Sequence, residues 1–267
     1  MSSALSDALA KARAEDRAAL IGYLPVGYPT IEASIECMRA LVDGGVDVVE
    51  VGVPYSDPGM DGPVIQQAVE PAVRAGVGMR DALRAVEAVA AVAPAVVMTY
   101  WNPVERYGVD AFARDLAAAG GSGAITPDLI PDEAAEWLTA SDDFGLDRVF
   151  LVAPSSTESR LVATVDASRG FVYAAATMGV TGARAAVDGA AQHLVARVRR
   201  LRPAAAVCVG LGVSTAAQAA EVAAFADGVI VGSAFVRCML DAAGDHLGVA
   251  SVSRLAGQLA AGVRTAQ

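Results

Sequence analysis

Eight short apolar runs recur along the chain, and longer amphipathic stretches separate them. This alternation predicts a parallel sheet, because parallel strands need crossover connections that are usually helical. Eight repeats without a linker favour closure into an α/β fold of the (β/α)8 TIM barrel type, with an open doubly wound sheet as the alternative. The predicted strands are 19–25, 46–52, 95–101, 123–126, 148–153, 171–176, 205–210 and 228–232.

The length of 267 residues is close to the roughly 250 residues typical of one such barrel. We therefore expect a single (β/α)8 barrel domain over residues 1–267. An amphipathic segment at 2–13, with Leu5 and Leu9 on one face, predicts an extra N-terminal helix that covers the bottom of the barrel. Thr30 is the expected N-cap of the helix after the first strand.

Charge and cysteine content exclude several classes of protein. A net charge of −10 repels nucleic acids and anionic membranes. Three cysteines without a C-x-x-C pair indicate reduced thiols in a cytoplasmic protein. The first residues contain no apolar core of a signal peptide, and the apolar stretch around Pro94 is too short to span a membrane.

Lysine and histidine are scarce. The chain has one lysine, Lys11, and two histidines, His193 and His246. A Schiff-base lysine would have to lie on the predicted surface helix, and two histidines offer little for a zinc site. We expect carboxylates and tyrosines to perform the chemistry, without a metal.

A glutamate interrupts the valine-rich second strand. Because side chains alternate along a strand, Glu50 shares the barrel interior with Val48 and Gly52. A long Pro/Gly-rich loop follows and carries Asp57 and Asp61. A structural Glu50 paired with an arginine is one alternative, and ordinary turn chemistry is the alternative for both aspartates.

Three later strand ends carry further candidates. Tyr173 is expected to point inward, where it either lines a site or fills the core. Loop 179–182 is a candidate lid or phosphate contact. The small residues at 210–214 and 232–235 let backbone N–H groups approach a phosphate, although turn glycines are the alternative. The combination predicts acid–base chemistry on a phosphorylated small molecule.

Several motifs, in this order, resemble the tryptophan synthase alpha chain family over most of the chain. They are "VEVGVPYSDPGMDGPVIQQA", "YWNPVERYGVDAF", "PDLIPDEA", "GVTGAR", "GLGVS" and "VGSA". The resemblance implies a carbon–carbon lyase of L-tryptophan biosynthesis. Its reaction is the retro-aldol cleavage of indole-3-glycerol phosphate to indole and glyceraldehyde 3-phosphate.

The resemblance also implies roles for individual residues. Glu50 would be the main acid–base group, Asp61 would accept from the indole N–H, and Tyr173 would shape the site. Thr181 would close over Asp61 as part of a lid. The residues implied for phosphate binding are Gly182, Gly212, Gly232 and Ser233.

The family resemblance further implies a heterotetramer of two alpha and two beta chains. The beta partner would use pyridoxal phosphate, with no cofactor in this chain, and the loop with Pro54 and Asp57 would face that partner. One departure is Thr177, where many members have an arginine. The effect of Gly59 on the loop is left open, because glycine costs more entropy to order.

Three alternatives remain open from the sequence. The first is a barrel isomerase of a phosphorylated open-chain sugar, which would share the carboxylates and the phosphate site. The second is a chain without catalysis that only activates a beta partner. The third is an indole-releasing enzyme that works alone.

Overall fold

A closed parallel barrel forms the centre of the molecule. The computed structural model describes residues 3–175, 189–210, 212–242 and 245–265. Strand pairings run in the order β5-β4-β3-β2-β1-β8-β7-β6 and return to β5, whose two segments flank Phe150. The strands are β1 Ala19–Pro25, β2 Val48–Gly52, β3 Ala95–Met98, β4 Gly123–Ile125, β5 Asp147–Val149 with Leu151–Val152, β6 Val172–Ala175, β7 Val207–Gly210 and β8 Gly228–Val231.

Helices surround this barrel, so the predicted TIM barrel is confirmed and the open sheet is wrong. No helix within the described ranges is long and apolar enough to cross a membrane. The described residues form helices α1 Ala4–Ala14, α2 Ile31–Asp43, α3 Pro63–Arg74, α4 Met79–Ala90, α5 Trp101–Tyr107, α6 Val109–Ala118, α7 Ala135–Asp143, α8 Glu158–Ala167, α9 Gly189–Leu201, α10 Ala216–Ala223, α11 Ser233–Leu240 and α12 Asp245–Arg264, with a 3-10 turn at Pro131–Glu133.

The predicted N-terminal helix covers one end of the barrel. Leu5, Leu9 and Ala12 of α1 are buried, and they join the apolar cluster inside the strands, which includes Phe171. The Ser3 side chain caps the helix by accepting a hydrogen bond from the Ser6 N–H at 3.1 Å. This end of the barrel is therefore filled by side chains, and ligands would bind at the opposite end, the mouth formed by the C-terminal ends of the strands.

Side-chain alternation on β2 follows the predicted phase. Val48 belongs to the inner cluster, whereas Val49 and Val51 pack in the outer layer between the strands and the helices. Glu50 lies on the inner face, where its Cα pairs with that of Tyr23 on β1. The parallel register thus places a carboxyl group and a phenol side by side inside the barrel.

Two helices depart from the sequence prediction. Strand β3 ends at Met98 instead of continuing to Trp101, which begins α5. The Trp101 N–H donates to both carboxylate oxygens of Asp128, at 2.9 and 3.1 Å. That cap comes from the segment after β4, so local sequence does not reveal it.

Helix α3 is also absent from the sequence prediction. It has Pro63 in its first turn, where the missing N–H of proline costs no helical hydrogen bond.

Candidate active site

Glu50 is buried, and it has no counter-ion in the part of the chain that the structure describes. Only 3% of the residue is exposed, and its Oε2 atom has no hydrogen-bond partner among the described residues. No arginine pairs with it among the described residues, and the ion pairs of those residues lie elsewhere. The alternative of a structural glutamate paired with an arginine is therefore wrong within the part of the chain that the structure describes.

Burial controls the protonation of Glu50. Loss of solvent, with a smaller contribution from the negative charge of Asp61, raises the pKa of Glu50 from its ordinary 4.5 to about 8. The carboxyl group therefore keeps its proton near neutral pH. A protonated carboxyl in an apolar wall can donate to a ligand and later take a proton back.

Asp61 is held by the loop after β2 and by the end of β3. It is 6% exposed. The Tyr100 hydroxyl donates to Asp61 Oδ1 at 3.1 Å and itself accepts from the Met60 N–H at 2.9 Å. The Gln66 side chain donates to the Asp61 carbonyl at 2.7 Å. Turn chemistry alone does not explain an aspartate that is buried and anchored on both sides.

Two opposing effects set the pKa of Asp61. Burial is the larger effect and raises the pKa of Asp61 above its usual value, and the hydrogen bond from Tyr100 opposes this shift. Glu50 has no such donor among the described residues, so the two carboxyls are inequivalent. Ionising two neighbouring buried carboxyl groups at once is energetically unfavourable. The hydrogen bond from the Tyr100 hydroxyl stabilises ionised Asp61, so Asp61 ionises in preference to Glu50.

Tyrosines line the mouth around the two carboxyls. The charges of Asp61 and Glu50 act on Tyr23, and that of Glu50 acts on Tyr173. Burial, the larger cause, and these charges keep the pKa of both phenols well above the usual value. Both rings therefore stay neutral and offer aromatic surface with a polar tip.

Glycines on the strands make room for these rings. A Cβ atom on Gly52 would lie 2.5 Å from a ring carbon of Tyr23, and one on Gly210 would overlap Tyr173. Larger residues at these positions would push the rings out of place. Packing against Tyr173 therefore requires a glycine at position 210, whether or not Gly210 also contacts a ligand.

The ends of β7 and β8 meet as predicted. Ser214 and Ser233 line one cavity of about 250 Å³. Gly212 has a φ of +71°, a backbone conformation that favours glycine. Gly232 is the N-cap of α11 and supplies no side-chain acceptor for the first N–H groups of that helix. These features suit an anion, and the predicted phosphate site at the two glycine-rich junctions stays a prediction.

The remaining predicted residues divide into two groups. Pro54 is buried, whereas Asp57 is exposed and accepts a hydrogen bond from the Ser56 hydroxyl at 2.5 Å. The predicted lid and phosphate residues of the strand-6 loop lie outside the described residues, as does the departure from the family pattern; these are Thr177, Gly179, Thr181 and Gly182.

Sequence reasoning missed Tyr23 and Tyr100. Tyr23 has a usable signal, because it lies two residues after Ile21 in strand β1 and therefore shares its inward face. Tyr100 has none, because its bond to Asp61 joins the end of β3 to a loop 39 residues earlier. Within the described ranges, no group of three or more His, Cys, Asp or Glu residues could hold a metal ion.

Replacing Glu50 should change how stability depends on pH. Between about pH 4.5 and pH 8 the folded chain keeps a proton on Glu50 that the unfolded chain has lost, so this group lowers stability as pH rises. Glu50→Gln should therefore raise the free energy of unfolding relative to wild type at pH 8, on the order of a few kcal/mol. The gain should fade toward pH 4.5.

Urea denaturation at a series of pH values measures this difference. Glu105→Gln, an exposed glutamate on α5, is the matched control and should show no pH-dependent gain. A Glu50→Gln curve parallel to wild type would contradict a raised pKa.

Removing the Tyr100 hydroxyl should raise the pKa of Asp61, because that hydroxyl stabilises the ionised carboxylate. Tyr100→Phe should shift the titration of the Asp61 carboxyl carbon, observed by NMR, to higher pH. Tyr55→Phe is the control, because the Tyr55 ring packs on Tyr100 at 5.4 Å while its hydroxyl accepts from Asn102. Equal shifts in both variants would mean that packing, and not the hydrogen bond, controls Asp61.

Comparison with known proteins agrees with this geometry. Residues 9–264 match the model of the family described as "Tryptophan synthase alpha chain". The tryptophan synthase alpha chain of Mycobacterium marinum is 65% identical over 253 residues, covering 94% of this chain and 91% of that protein. The Mycobacterium tuberculosis alpha chain is 64% identical with the same coverage.

Solved structures give the same result. A chain of Mycobacterium tuberculosis tryptophan synthase superposes with a TM-score of 0.93 at 61% identity, covering 99% of each chain. Tryptophan synthase subunit alpha from Legionella pneumophila gives a TM-score of 0.86 at 29% identity, covering 98% of this chain and 99% of that one. The chain belongs to the tryptophan synthase alpha chain family.

Proposed function

We propose that this chain cleaves indole-3-glycerol phosphate to indole and glyceraldehyde 3-phosphate, the alpha reaction of L-tryptophan biosynthesis. The observation that carries the proposal is the pair of unequal buried carboxyls, Glu50 and Asp61, inside the mouth of the barrel. We also propose that residues 1–267 form one catalytic domain, and that the protein works in the cytoplasm.

Glu50 has the properties that the carbon–carbon cleavage demands. Protonation of the indole ring at C3 turns the ring into an electron sink. The bond from C3 to the side chain then breaks, and its electron pair returns to the ring. The neighbouring hydroxyl becomes the aldehyde carbonyl and loses its proton. A carboxyl with a pKa of about 8 donates the first proton and, once ionised, accepts the second.

Asp61 supplies the complementary charge. Protonation of C3 leaves positive charge on the ring, which is strongest at the nitrogen. An ionised Asp61, oriented by the Tyr100 hydroxyl, accepts a hydrogen bond from the ring N–H and stabilises that charge. Tyr23 and Tyr173 present the aromatic walls that a flat indole ring requires, which favours this substrate over an open-chain sugar phosphate.

The phosphate group would lie at the ends of β7 and β8. Gly212, Gly232 and Ser233 are the described residues proposed to hold it, through backbone N–H groups and the Ser233 hydroxyl. Gly182 and the lid residue Thr181 complete the proposal from outside the described residues. No cofactor takes part in these steps, because carboxyl groups alone move both protons.

Substitution of either carboxyl should abolish indole formation. Glu50→Gln cannot give up and recover a proton, and Asp61→Asn cannot stabilise the ring charge, so each should lower kcat by about 100-fold or more. The measurement is release of indole from indole-3-glycerol phosphate by the purified chain, with circular dichroism as the check of folding. Glu105→Gln is the control and should behave as wild type. Retained activity in Glu50→Gln would contradict this mechanism.

We further infer an assembly with the beta chain of tryptophan synthase, as two alpha and two beta chains, in which the beta chain holds pyridoxal phosphate. The solved neighbours include tryptophan synthase of Mycobacterium tuberculosis in an aminoacrylate-bound form. On this chain, exposed Asp57 and Ile130, the latter 42% exposed, follow β2 and β4 at the mouth of the barrel. Pro54 is the buried base of the same loop.

Addition of a beta chain should stimulate indole formation, and Asp57→Lys should reduce the stimulation while leaving the activity of the chain alone unchanged. Reversal of a charge in the contact removes electrostatic complementarity. Glu221→Lys, an exposed carboxylate on α10, is the control and should retain full stimulation. High unaided turnover without stimulation would instead favour an enzyme that works alone.

A further inference from the structure

Gln66, near the start of helix α3, is bonded to the main chain of Asp61. The bonding pattern of the helix begins at the carbonyl of its N-cap, Gly62, which accepts from the Gln66 N–H at 3.0 Å. The side-chain amide of Gln66 lies outside this pattern and donates to the Asp61 carbonyl at 2.7 Å, within the range of a good hydrogen bond. The helix therefore holds Asp61 from its C-terminal side.

The loop that precedes Asp61 contributes little to its order. Ser56, Asp57 and Gly59 are exposed, and a Cβ atom added to Gly59 would meet no heavy atom of the described residues within 4 Å. A loop with few buried contacts is ordered mainly through the hydrogen bonds that fix its ends. The position of Asp61 thus depends on bonds from segments outside the loop.

Two side chains supply such bonds, and they act on different atoms. The Tyr100 hydroxyl accepts from the Met60 N–H and donates to Asp61 Oδ1, so it holds the loop and the carboxylate. The Gln66 amide holds the carbonyl of Asp61. Together they restrain both the side chain of Asp61 and the peptide group that follows it.

The direction of an acceptor carboxylate affects catalysis strongly. A hydrogen bond weakens steeply when it is misaligned, and a small displacement of a group that acts on the transition state lowers the rate. Without the bond from Gln66, the Asp61 carbonyl could turn toward solvent, and the carboxylate would move with the backbone. The bond of 3.1 Å from Tyr100 would then be the remaining restraint described on the side chain of Asp61.

We propose that Gln66 is a positioning residue, which holds the Asp61 carbonyl and thereby fixes the direction in which the Asp61 carboxylate accepts the indole N–H. This inference rests on the proposed function for the identity of the substrate. It assigns to Gln66 no contact with the substrate and no part in the proton transfers at Glu50.

Two variants of neighbouring glutamines test the assignment in the indole assay. Gln66→Glu replaces the donor amide by a carboxylate that repels the Asp61 carbonyl near neutral pH. It should lower kcat by about tenfold and change KM less, because the bond to the ring N–H strengthens as charge develops in the transition state. Gln67→Glu, the same change of charge at the next exposed residue of α3, is the matched control and should behave as wild type.

The pH dependence separates positioning from a structural role. A carboxyl introduced at position 66 gains a proton as pH falls from about 8 toward about 5, and it can then donate again. The ratio of kcat in Gln66→Glu to kcat in wild type should therefore rise, whereas Gln66→Leu, without a donor at any pH, should stay low. A role confined to stabilising the start of α3 predicts the opposite, because an ionised carboxylate near a helix N-terminus is favourable.

Amide hydrogen exchange of the purified full chain measures the order at Asp61 without turnover. The Met60 N–H, which donates to Tyr100, should exchange about tenfold faster in Gln66→Leu than in wild type, with Gln67→Leu as the unchanged control. Unchanged exchange at Met60 would overturn the assignment, as would an unchanged kcat of Gln66→Glu in a chain that releases indole. Faster exchange in a chain that releases no indole would support the restraint on Asp61 and contradict only the lyase proposal.

Discussion

The Glu50 carboxyl has no counter-ion among the described residues, so its burial costs several kcal/mol unless the group keeps its proton. The mouth of the barrel is arranged around that constraint. The carboxyl lies on the inner face of β2 beside Tyr23, and Asp61 contributes further negative potential. An arginine here would stabilise the ionised form and remove the proton that catalysis needs. The apolar surroundings of Glu50 are therefore what gives the residue its function.

The candidate catalytic groups and the stabilising contacts lie at opposite ends of the barrel. At the bottom, Arg17 forms two hydrogen bonds with Asp47, at 2.7 and 2.8 Å, and Asp47 also accepts from the Leu20 N–H. Helix α1 closes the same end with apolar side chains. Arg17 and Asp47 are thus paired, as structural groups are, whereas the Glu50 carboxyl at the mouth has an oxygen without a partner among the described residues. This division agrees with the general organisation of such barrels.

An acidic protein that binds a phosphorylated ligand must limit charge repulsion locally. Protonation of Glu50 removes one negative charge from the mouth at neutral pH. At the ends of β7 and β8, the N-terminus of α11, which has no side-chain cap, supplies positive potential. Protonated Glu50 lies on β2, whereas the N-terminus of α11 follows β8. The indole ring and the phosphate group of one substrate can therefore each bind where the local charge favours it.

The sequence by itself determined the eight strands, the inward direction of Glu50 and the two glycine-rich junctions, because these depend on local periodicity and on side-chain alternation. It did not reveal that Trp101 begins a helix, since Asp128 caps that helix from a later segment. Nor did it reveal the bond from Tyr100 to Asp61 or the cavity shared by Ser214 and Ser233. Only tertiary structure decided these features, because hydrogen bonds and burial between distant segments exist only once the barrel has closed.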